Sequence, residues 1–296
     1  MNTQSFLGLR KAVPYLQLYR GQTFVIKLGG EVLRRHDDLV AVLEQIGVLH
    51  QLGIKTVIVH GGGPQANELA ARMGVKFEFV EGRRVTNEEM IQVLTYTLNG
   101  EAQATMLSAC RELGHQAVGL SGLDAGLIIA EKRKPKNGLD YGQVGDVVTV
   151  NPGVIQHLLA DGYLPIVSPL SADAKGGLLN INADSAACAI AVALGATKLI
   201  LVTSAPGILK DLNDPLSIIS QLDLKQLKAL EQEGTFDGGM LPKAASIESA
   251  LRGGVGRVHV VGFTNPDSLL LEVFTNEGCG TLIVREEKEL LPSEHA

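Results

Sequence analysis

Residues 23–28 read TFVIKL and are followed at once by Gly29-Gly30. Such a short, almost uninterrupted run of branched apolar residues is typical of a strand that is covered on both faces, as in a parallel sheet. The same pattern recurs along the chain, and the repetition predicts a mainly parallel sheet. The other runs are TVIVH (56–60), QAVGL (116–120), YLPIVSP (163–169), KLILVT (198–203) and RVHVVG (257–262).

Segments with helical periodicity separate the predicted strands, as expected where each parallel strand is followed by a crossover helix. Two further segments, 77–86 and 127–150, break the alternation and predict small antiparallel β excursions beside the sheet. The chain is therefore predicted to be an α/β protein, a three-layer α/β/α sandwich with a mainly parallel central sheet. The predicted helices cover residues 37–52, 64–73, 87–113, 152–160, 183–194, 223–232 and 241–252.

The composition argues against several classes of protein. The chain has 296 residues, 45% of them hydrophobic, and a net charge of −6, which disfavours a nucleic-acid partner. No apolar run approaches the roughly 18 residues of a membrane span, and residues 1–20 lack the pattern of a secretory signal. Cys110, Cys188 and Cys279 lie far apart, which argues against a disulfide framework or a cysteine-rich metal site. These features predict a cytoplasmic globular protein.

Two predicted strands end in glycine-rich loops, Gly29-Gly30 and Gly61-Gly62-Gly63. Ligands of parallel sheets bind at the carboxyl ends of the strands, where glycines let backbone N–H groups approach an anion. The two loops therefore predict one shared anion site, although each could simply form a tight turn. No GxxxxGK[ST] motif occurs, which excludes a P-loop nucleotide site. A G-x-G-x-x-A match that ends at Ala66 keeps a dinucleotide-binding oxidoreductase open as an alternative.

Lys27 lies inside a predicted buried strand and is separated from its glycine loop by one residue. A buried ammonium group needs a negative ligand or a carboxylate nearby, because its desolvation is otherwise costly. The alternative is an edge strand with Lys27 in solvent. Lys243 stands at the start of a predicted helix, where a cation opposes the helix dipole unless an anion is bound close by. Both lysines are therefore candidates for binding an anionic group.

Asn180, Asn182 and Asp184 recur at every second position where a predicted strand leads into an alanine-rich helix. Capping of that helix is one explanation for Asn182 and Asp184. The repetition also places several polar groups at one rim of the sheet, which predicts that they contribute to the anion site.

A set of short motifs, taken in order, resembles the acetylglutamate kinases of the amino-acid kinase family from about residue 13 to residue 284. The resemblance implies the fold of that family and the ATP-dependent phosphorylation of the side-chain carboxylate of N-acetyl-L-glutamate, a step of arginine biosynthesis. The implied boundaries are an N-terminal helix over 1–20, an acidic amino-acid binding lobe over 21–175 and a nucleotide-binding lobe over 176–296. The motifs are KLGG, HGGG, GRRVT, GLSG, NPGVI, NINAD, GGMLPK, LRGGV, SLLLE and EGCGT.

The resemblance assigns roles to individual residues. Lys27 and Lys243 would flank the transferred phosphoryl group, and Asp184 would lie between them and organise both ammonium groups. The reaction also fits the sequence, because phosphoryl transfer depends on positioning and charge neutralisation, and a carboxylate nucleophile needs no general base. The residues that would bind acetylglutamate are Gly62, Gly63, Arg84 and Asn180.

The resemblance also implies ATP with Mg²⁺ as the phosphoryl donor. The sequence contains no carboxylate-rich metal motif, so Mg²⁺ would be held mainly by the phosphates and water. The residues that would bind the nucleotide are Gly29, Gly30, Thr203, Ser204, Gly207, Leu209, Thr235, Asp237 and Met240.

Residues 1–20 form a predicted amphipathic helix that resembles the N-terminal extension of the hexameric, arginine-inhibited members of the family. The resemblance implies a homodimer or a trimer of dimers, with arginine as an inhibitor; an ordinary docking helix is the alternative. The apolar side of the helix would carry Phe6, Leu9, Val13, Leu16 and Leu18. The residues implied to lie near bound arginine are Tyr15, Lys210, Glu277 and Gly280.

Four positions depart from the family pattern. Ser204 and Ala104 replace residues that would help to bind ATP, and Asp267 replaces a histidine of the effector region. The fourth departure is Asn87, which follows the GRRVT motif. The catalytic set is intact. Two alternatives stay open: a non-catalytic regulatory protein that binds acetylglutamate or arginine, and a kinase for another acidic amino acid.

Overall fold

The computed structural model describes residues 12–290 apart from 81, 136–137, 212, 215, 237–238 and 276–277. Strands and helices alternate along this part of the chain. The strands are β1 (Thr23–Leu28), β2 (Lys55–His60), β3 (Phe79–Val80), β4 (Arg83–Arg84), β5 (Ala117–Ser121), β6 (Ile128–Lys132), β7 (Gly145–Val150), β8 (Leu164–Ser168), β9 (Leu170–Ala172), β10 (Leu178–Asn180), β11 (Lys198–Thr203), β12 (Gln221–Asp223), β13 (Arg257–Gly262) and β14 (Thr281–Val284). The helices are α1 (12–19), α2 (His36–Gln51), α3 (Gly63–Met73), α4 (Glu88–Thr95), α5 (Gln103–Glu112), α6 (Gly153–Ala160), α7 (Ala183–Ala193), α8 (Leu224–Gln232), α9 (Met240–Arg252) and α10 (Ser268–Phe274).

Eight strands form one sheet in the order β12-β14-β13-β11-β1-β2-β8-β5. Each neighbouring pair is parallel except β13 and β14, which run antiparallel. Helices α7 and α9 pack on one face of this sheet, and α2, α5 and α10 pack on the other. The predicted three-layer sandwich with a mainly parallel sheet is therefore confirmed. Within the described ranges, no helix is both long and apolar enough to cross a membrane.

Strand β1 lies in the interior of the sheet, between β11 and β2. Its side chains alternate between the two faces, so Phe24 and Ile26 join one apolar core while Val25 joins the other. Lys27 therefore shares the face of Val25, which α7 covers. The edge-strand alternative for Lys27 is wrong, and its side chain is only 11% exposed.

The two predicted excursions are antiparallel, as expected. Strands β3 and β4 form a hairpin, and β6 pairs with β7 in a second sheet of order β10-β9-β6-β7. Strands β9 and β10 also pair as a hairpin, and its turn contains residues 175 and 176, where the sequence places the boundary between lobes. The eight-stranded sheet runs continuously across that predicted boundary through the pairing of β1 with β11, so the two predicted lobes would share one sheet.

The predicted single helix over 87–113 is divided in the structure. Helix α4 begins after Asn87, whose side chain accepts the N–H of Met90 at 2.8 Å and so caps the helix. The helix then widens into a π-helical segment, Tyr96–Ala102, before α5 continues it. Periodicity alone cannot show this segment, because a π turn adds one residue without ending the helix.

The apolar side predicted for the N-terminal helix is partly wrong. Val13 and Leu18 are exposed, whereas Tyr19 is buried against the ring of Phe24, with centroids 5.2 Å apart. Tyr15, one turn earlier, packs on Tyr19. The helix is therefore anchored by an aromatic pair spaced four residues apart, because large rings bury more apolar surface than branched side chains. Phe6 and Leu9 lie outside the described residues.

Three ionisable side chains form a buried hydrogen-bonded network across β11, β13 and α10. The Lys198 ammonium nitrogen lies 2.9 Å from Nε2 of His259, and Nδ1 of His259 lies 2.7 Å from Oε1 of Glu272. A neutral imidazole can accept from the ammonium group through Nε2 and donate to the carboxylate through Nδ1. The other Glu272 oxygen accepts the N–H groups of Cys279 and Gly280. Every group of this network therefore has a partner of opposite polarity.

Candidate active site

Lys27, Asp184 and Lys243 converge although they come from three distant parts of the sequence. The ammonium nitrogen of Lys27 lies 2.8 Å from Oδ1 of Asp184, and that of Lys243 donates a hydrogen bond of 3.0 Å to Oδ2. The Lys27 contact is a close ion pair, since no aligned hydrogen bond reaches Oδ1. One carboxylate therefore holds two ammonium groups, as the resemblance implies.

The local structure explains why these side chains meet. Lys27 projects from the middle of the sheet towards α7, and Asp184 stands in the first turn of that helix. Asn182 caps α7, because its side-chain oxygen accepts the N–H groups of Asp184 and Ser185. The capping explanation thus holds for Asn182, while Asp184 is engaged by the two lysines. Helix α9 packs along α7 and brings Lys243, in its own first turn, to the other carboxylate oxygen.

Burial and charge act in opposite directions on this group. Burial alone would raise the pKa of Asp184, but the charges of Lys27 and Lys243 outweigh it and hold the pKa well below its usual value. Burial lowers the pKa of Lys243, and the nearby Asp184 carboxylate limits that fall by raising it again. The carboxylate is therefore ionised at neutral pH, and it favours the charged form of Lys243.

The two glycine loops lie side by side, because β1 and β2 are adjacent parallel strands. The side chain of Gln65 donates to the carbonyl oxygen of Gly30 at 2.9 Å and so ties one loop to the other. A Cβ atom at Gly30 would stand 2.7 Å from Cδ of Pro64, which requires glycine at that position. Helix α3 begins at Gly63 without a side-chain cap, so no capping side chain takes up its first N–H groups. The two loops therefore lie at a single place in the fold, and anion binding there stays a prediction.

A cavity of about 280 Å³ opens between these loops, the β3–β4 hairpin and the start of α7. Lys27 is one of its lining residues. Leu94 and Leu98, from α4 and the π-helical segment, add an apolar wall that sequence reasoning missed. The cavity contains all four residues that the sequence assigns to acetylglutamate, and one of those assigned to the nucleotide: Gly62, Gly63, Arg84, Asn180 and Gly30.

Asn180 and Arg84 both line this cavity. Asn180, at the end of β10, donates from its side chain to Thr86 at 3.1 Å. Arg84 is buried and donates through Nη2 to the side-chain oxygen of Asn67, while Nη1 is buried without a hydrogen-bond partner. Burial lowers the pKa of Arg84 to about 10, which leaves it cationic at neutral pH. Asn67 was missed, although it lies four residues after Gly63 on the same helix face.

A second cavity, of about 230 Å³, lies on the far side of Asp184. Lys243 lines it, together with Val260, which sequence reasoning missed. Its wall holds no carboxylate among the described residues. The residues predicted to bind the nucleotide that line this cavity are Thr203, Ser204, Gly207, Leu209, Thr235 and Met240.

Of the other nucleotide assignments, Gly30 lines the first cavity and Gly29 lines neither of the two. The N–H group of Gly29 donates a hydrogen bond of 3.3 Å to the carbonyl oxygen of Val202, so it is already used within the sheet. Asp237 lies outside the described residues. The departure at Ala104 is exposed on α5 and lines neither cavity, whereas Ser204 is part of the second cavity.

The π-helical segment braces the strand ends beneath the first cavity. Asn99, within the segment, accepts a hydrogen bond from the Ser168 hydroxyl at the end of β8. Gln103, directly after it, bridges His60 and the carbonyl oxygen of Ile166, at 2.7 and 3.0 Å. These contacts connect the π-helical segment and the start of α5 to β2 and β8, and the β2 contact lies just before the glycine loop.

The residues assigned to an arginine effector occupy different elements. Tyr15 lies in α1, Lys210 is exposed in the loop after β11, and Gly280 is buried beside Glu272. Glu277 lies outside the described residues. Asp267 begins α10 in the left-handed region, with φ of 56°. In the part of the chain that the structure describes, no three His, Cys, Asp or Glu side chains cluster as a metal site would need.

The sequence model of the amino acid kinase family matches residues 22–262. The chain belongs to the amino acid kinase family. It is 42% identical to the acetylglutamate kinase of Myxococcus xanthus, in an alignment that covers 98% of this chain and 97% of that protein. Family membership displaces the dinucleotide-binding oxidoreductase that the G-x-G-x-x-A match kept open.

Solved structures show the same fold. N-acetylglutamate synthase from Neisseria gonorrhoeae, complexed with coenzyme A and N-acetyl-glutamate, has a TM-score of 0.85 at 27% identity over 95% of this chain. Its complex with coenzyme A and L-arginine gives a TM-score of 0.84 at 26% identity. This chain spans 63% and 65% of those two synthase chains. Carbamate kinase from Giardia lamblia bound to AMP-PNP matches 90% of this chain and 99% of its own, with a TM-score of 0.63 at 19% identity, which concerns the fold alone.

Proposed function

We propose that this protein is an acetylglutamate kinase, which transfers the γ-phosphoryl group of ATP to the side-chain carboxylate of N-acetyl-L-glutamate in arginine biosynthesis. One observation carries the proposal: Asp184 joins Lys27, which lines the first cavity, to Lys243, which lines the second. A phosphoryl group that moves from a donor in one cavity to an acceptor in the other passes the two ammonium groups. The similarity to acetylglutamate kinases over nearly the whole chain supports the choice of substrate.

The chemistry needs little beyond charge and position. The acceptor carboxylate is ionised at neutral pH and therefore needs no general base. Its approach to an anionic nucleotide is opposed by repulsion, which Lys27 and Lys243 offset where negative charge accumulates on the transferred oxygens. Asp184 keeps both ammonium groups in place, favours the charged form of Lys243 and acts as the positioning residue of both.

The first cavity would bind acetylglutamate. Its side-chain carboxylate would lie towards Lys27, and its α-carboxylate would bind the cationic Arg84, whose Nη1 has no hydrogen-bond partner. Asn180 and the N–H groups at Gly62 and Gly63 would bind the remaining polar atoms. The apolar wall of Leu94 and Leu98 suits the uncharged part of the ligand.

The second cavity would bind ATP, with Thr203, Ser204 and Met240 against the nucleoside. Mg²⁺ would bind mainly to the phosphates and water, where it neutralises their charge. This fits the donor set, because both oxygens of Asp184 are already held by lysines and the described residues offer no cluster of carboxylates.

Arginine inhibition and assembly as a homodimer or trimer of dimers are further parts of the proposal. The similar synthase complexed with L-arginine supports an effector role for the region of Tyr15, Lys210 and Gly280. A cytoplasmic location fits a biosynthetic role of this kind. Sizing by light scattering with and without residues 1–20, and titration with arginine, test these statements.

The test of the reaction is ATP-dependent acyl-phosphate formation, trapped with hydroxylamine, on acetylglutamate, glutamate and aspartate. We expect product with acetylglutamate alone, and loss of product in Lys27→Ala and Lys243→Ala but not in Lys55→Ala, which removes an exposed lysine of β2. Product with aspartate or glutamate instead would favour another acidic amino acid. Binding of acetylglutamate or arginine without product would favour the regulatory alternative.

A further inference from the structure

The hairpin of β3 and β4 carries two aromatic rings that enclose the Arg84 guanidinium. Its central carbon lies 4.7 Å from the ring centroid of Phe77 and 4.6 Å from that of Phe79. The two rings meet nearly at right angles, 85°, with centroids 6.1 Å apart. The guanidinium therefore occupies a corner formed by two aromatic side chains, which we call the aromatic corner.

The backbone explains this geometry. Phe79 is the cross-strand partner of Arg84 in the hairpin, and Phe77 lies two residues earlier on the same side of the extended chain. Both rings consequently face the Arg84 side chain. Asn67, on α3, holds the far end of the guanidinium through Nη2, at 2.5 Å.

The aromatic corner also stabilises the buried positive charge of Arg84 without neutralising it. No carboxylate of the described residues lies within ion-pairing distance of this guanidinium, although it is buried. Ring faces attract a cation but leave its charge and its N–H groups available. A carboxylate partner in the protein would instead compete with an anionic ligand for the same nitrogens.

We propose that Phe77 and Phe79 are positioning residues for acetylglutamate: they hold the Arg84 guanidinium at the first cavity, where it binds the α-carboxylate of the substrate. This rests on the proposed function for the identity of the ligand. The planar guanidinium stacks on aromatic rings better than a lysine ammonium does, so the aromatic corner favours arginine over lysine at this position.

The test compares acetylglutamate with 4-acetamidobutanoate, which has the same acetamide and side-chain carboxylate but lacks the α-carboxylate. In Phe77→Leu and in Phe79→Leu we expect the KM for acetylglutamate to rise about threefold to thirtyfold, the range that cation–π contacts support. kcat and the KM for ATP should stay within about twofold of wild type, since these residues do not touch the transferred group. The KM for 4-acetamidobutanoate should not change.

Phe79→Tyr keeps the ring and should restore the wild-type KM, and Arg84→Lys should behave like the leucine variants or worse. An equal loss with both substrates would show a merely structural role of the hairpin and overturn the proposal, as would an unchanged KM for acetylglutamate. Calorimetric binding of both compounds gives the same comparison without turnover. If the wild-type protein binds acetylglutamate but forms no acyl phosphate, the proposed reaction fails while the aromatic corner can still be judged.

Discussion

Lys27 and Lys243 bind opposite oxygens of one carboxylate, at 2.8 and 3.0 Å. Two positive charges and one negative charge leave the group with a net positive charge in a place that solvent barely reaches. Such a group attracts an anion strongly, because electrostatic interactions strengthen where water is excluded. The position of Asp184 between the two cavities therefore fixes where negative charge is best stabilised.

Asp184→Asn removes that carboxylate charge while keeping the shape of the side chain. Asp184 raises the pKa of Lys243, so its loss lets the pKa fall further. We expect kcat to drop about a hundredfold or more, the scale for loss of a preorganised electrostatic contact. The alkaline limb of the pH–rate profile should begin at a lower pH than in wild type. A profile that matches wild type would contradict this role; Asp161→Asn, at an exposed end of α6, is the control.

The two lysines should differ in which substrate they affect. Lys27 lines the first cavity and Lys243 the second. Both alanine variants should lose kcat by orders of magnitude, because each ammonium group acts on charge that develops during transfer. Each variant should also show a rise in KM that is smaller than its loss of kcat. The rise should affect the KM for acetylglutamate in Lys27→Ala and the KM for ATP in Lys243→Ala. Steady-state kinetics with each substrate varied would detect the reverse assignment.

The close approach of the two glycine loops predicts a contrast between neighbours. A Cβ at Gly30 would meet Pro64 at 2.7 Å and Gln65 at 2.9 Å, whereas a Cβ at Gly29 would meet only the Val202 oxygen, at 3.7 Å. Gly30→Ala must push the loops apart, so we expect a lower melting temperature and a loss of kcat/KM of tenfold or more. Gly29→Ala should retain the melting temperature of wild type. Equal melting temperatures for the two variants would argue against the packing of Pro64 on Gly30.

The buried network of Lys198, His259 and Glu272 predicts that part of the free energy of unfolding is lost in acid. Burial would raise the pKa of Glu272, but the His259 contact and two backbone N–H groups lower it to about 2. An unfolded glutamate titrates near ~4.3, so this stabilisation is complete above that pH and is lost as the pH falls towards the folded value.

Glu272→Gln should therefore lower the free energy of unfolding by about 3 kcal/mol at pH 7, with the difference shrinking below about pH 4.3. Urea unfolding at a series of pH values measures it. Glu233→Gln, at the exposed end of α8, should show no such difference. A gap that stays constant down to pH 3 would mean that the carboxylate charge does not contribute.

The sequence predicts the sheet and one end of the site from local signals. The run around Lys27 identifies a buried strand, and the lysine within it stands out because it breaks an apolar pattern. The glycine loops follow from the same reasoning, since parallel strands end at one edge. The meeting of Lys27 with Asp184 and Lys243 has no local signal, and only the resemblance to a family implies it.

Other features depend on tertiary register and lie beyond periodicity. Lys198 reads as the start of an ordinary strand, and its contact with His259 arises only from the parallel pairing of β11 with β13. The aromatic corner requires the hairpin register that places Phe79 opposite Arg84. The short strands β9, β12 and β14 were missed because they contain too few residues to show an alternation.

The π-helical segment is the whole connection between α4 and α5, so its residue count sets the length of that connection. One residue turns an α-helix by about 100°, and the wide turn already accommodates one extra residue, so a further residue inserted ahead of Leu98 would rotate everything beyond it. Gln103 would swing away from His60, and Asn99 from Ser168. An added residue would displace both contacts at once, so this stretch should reject insertions even where a single exposed side chain, such as that of Glu101, can vary.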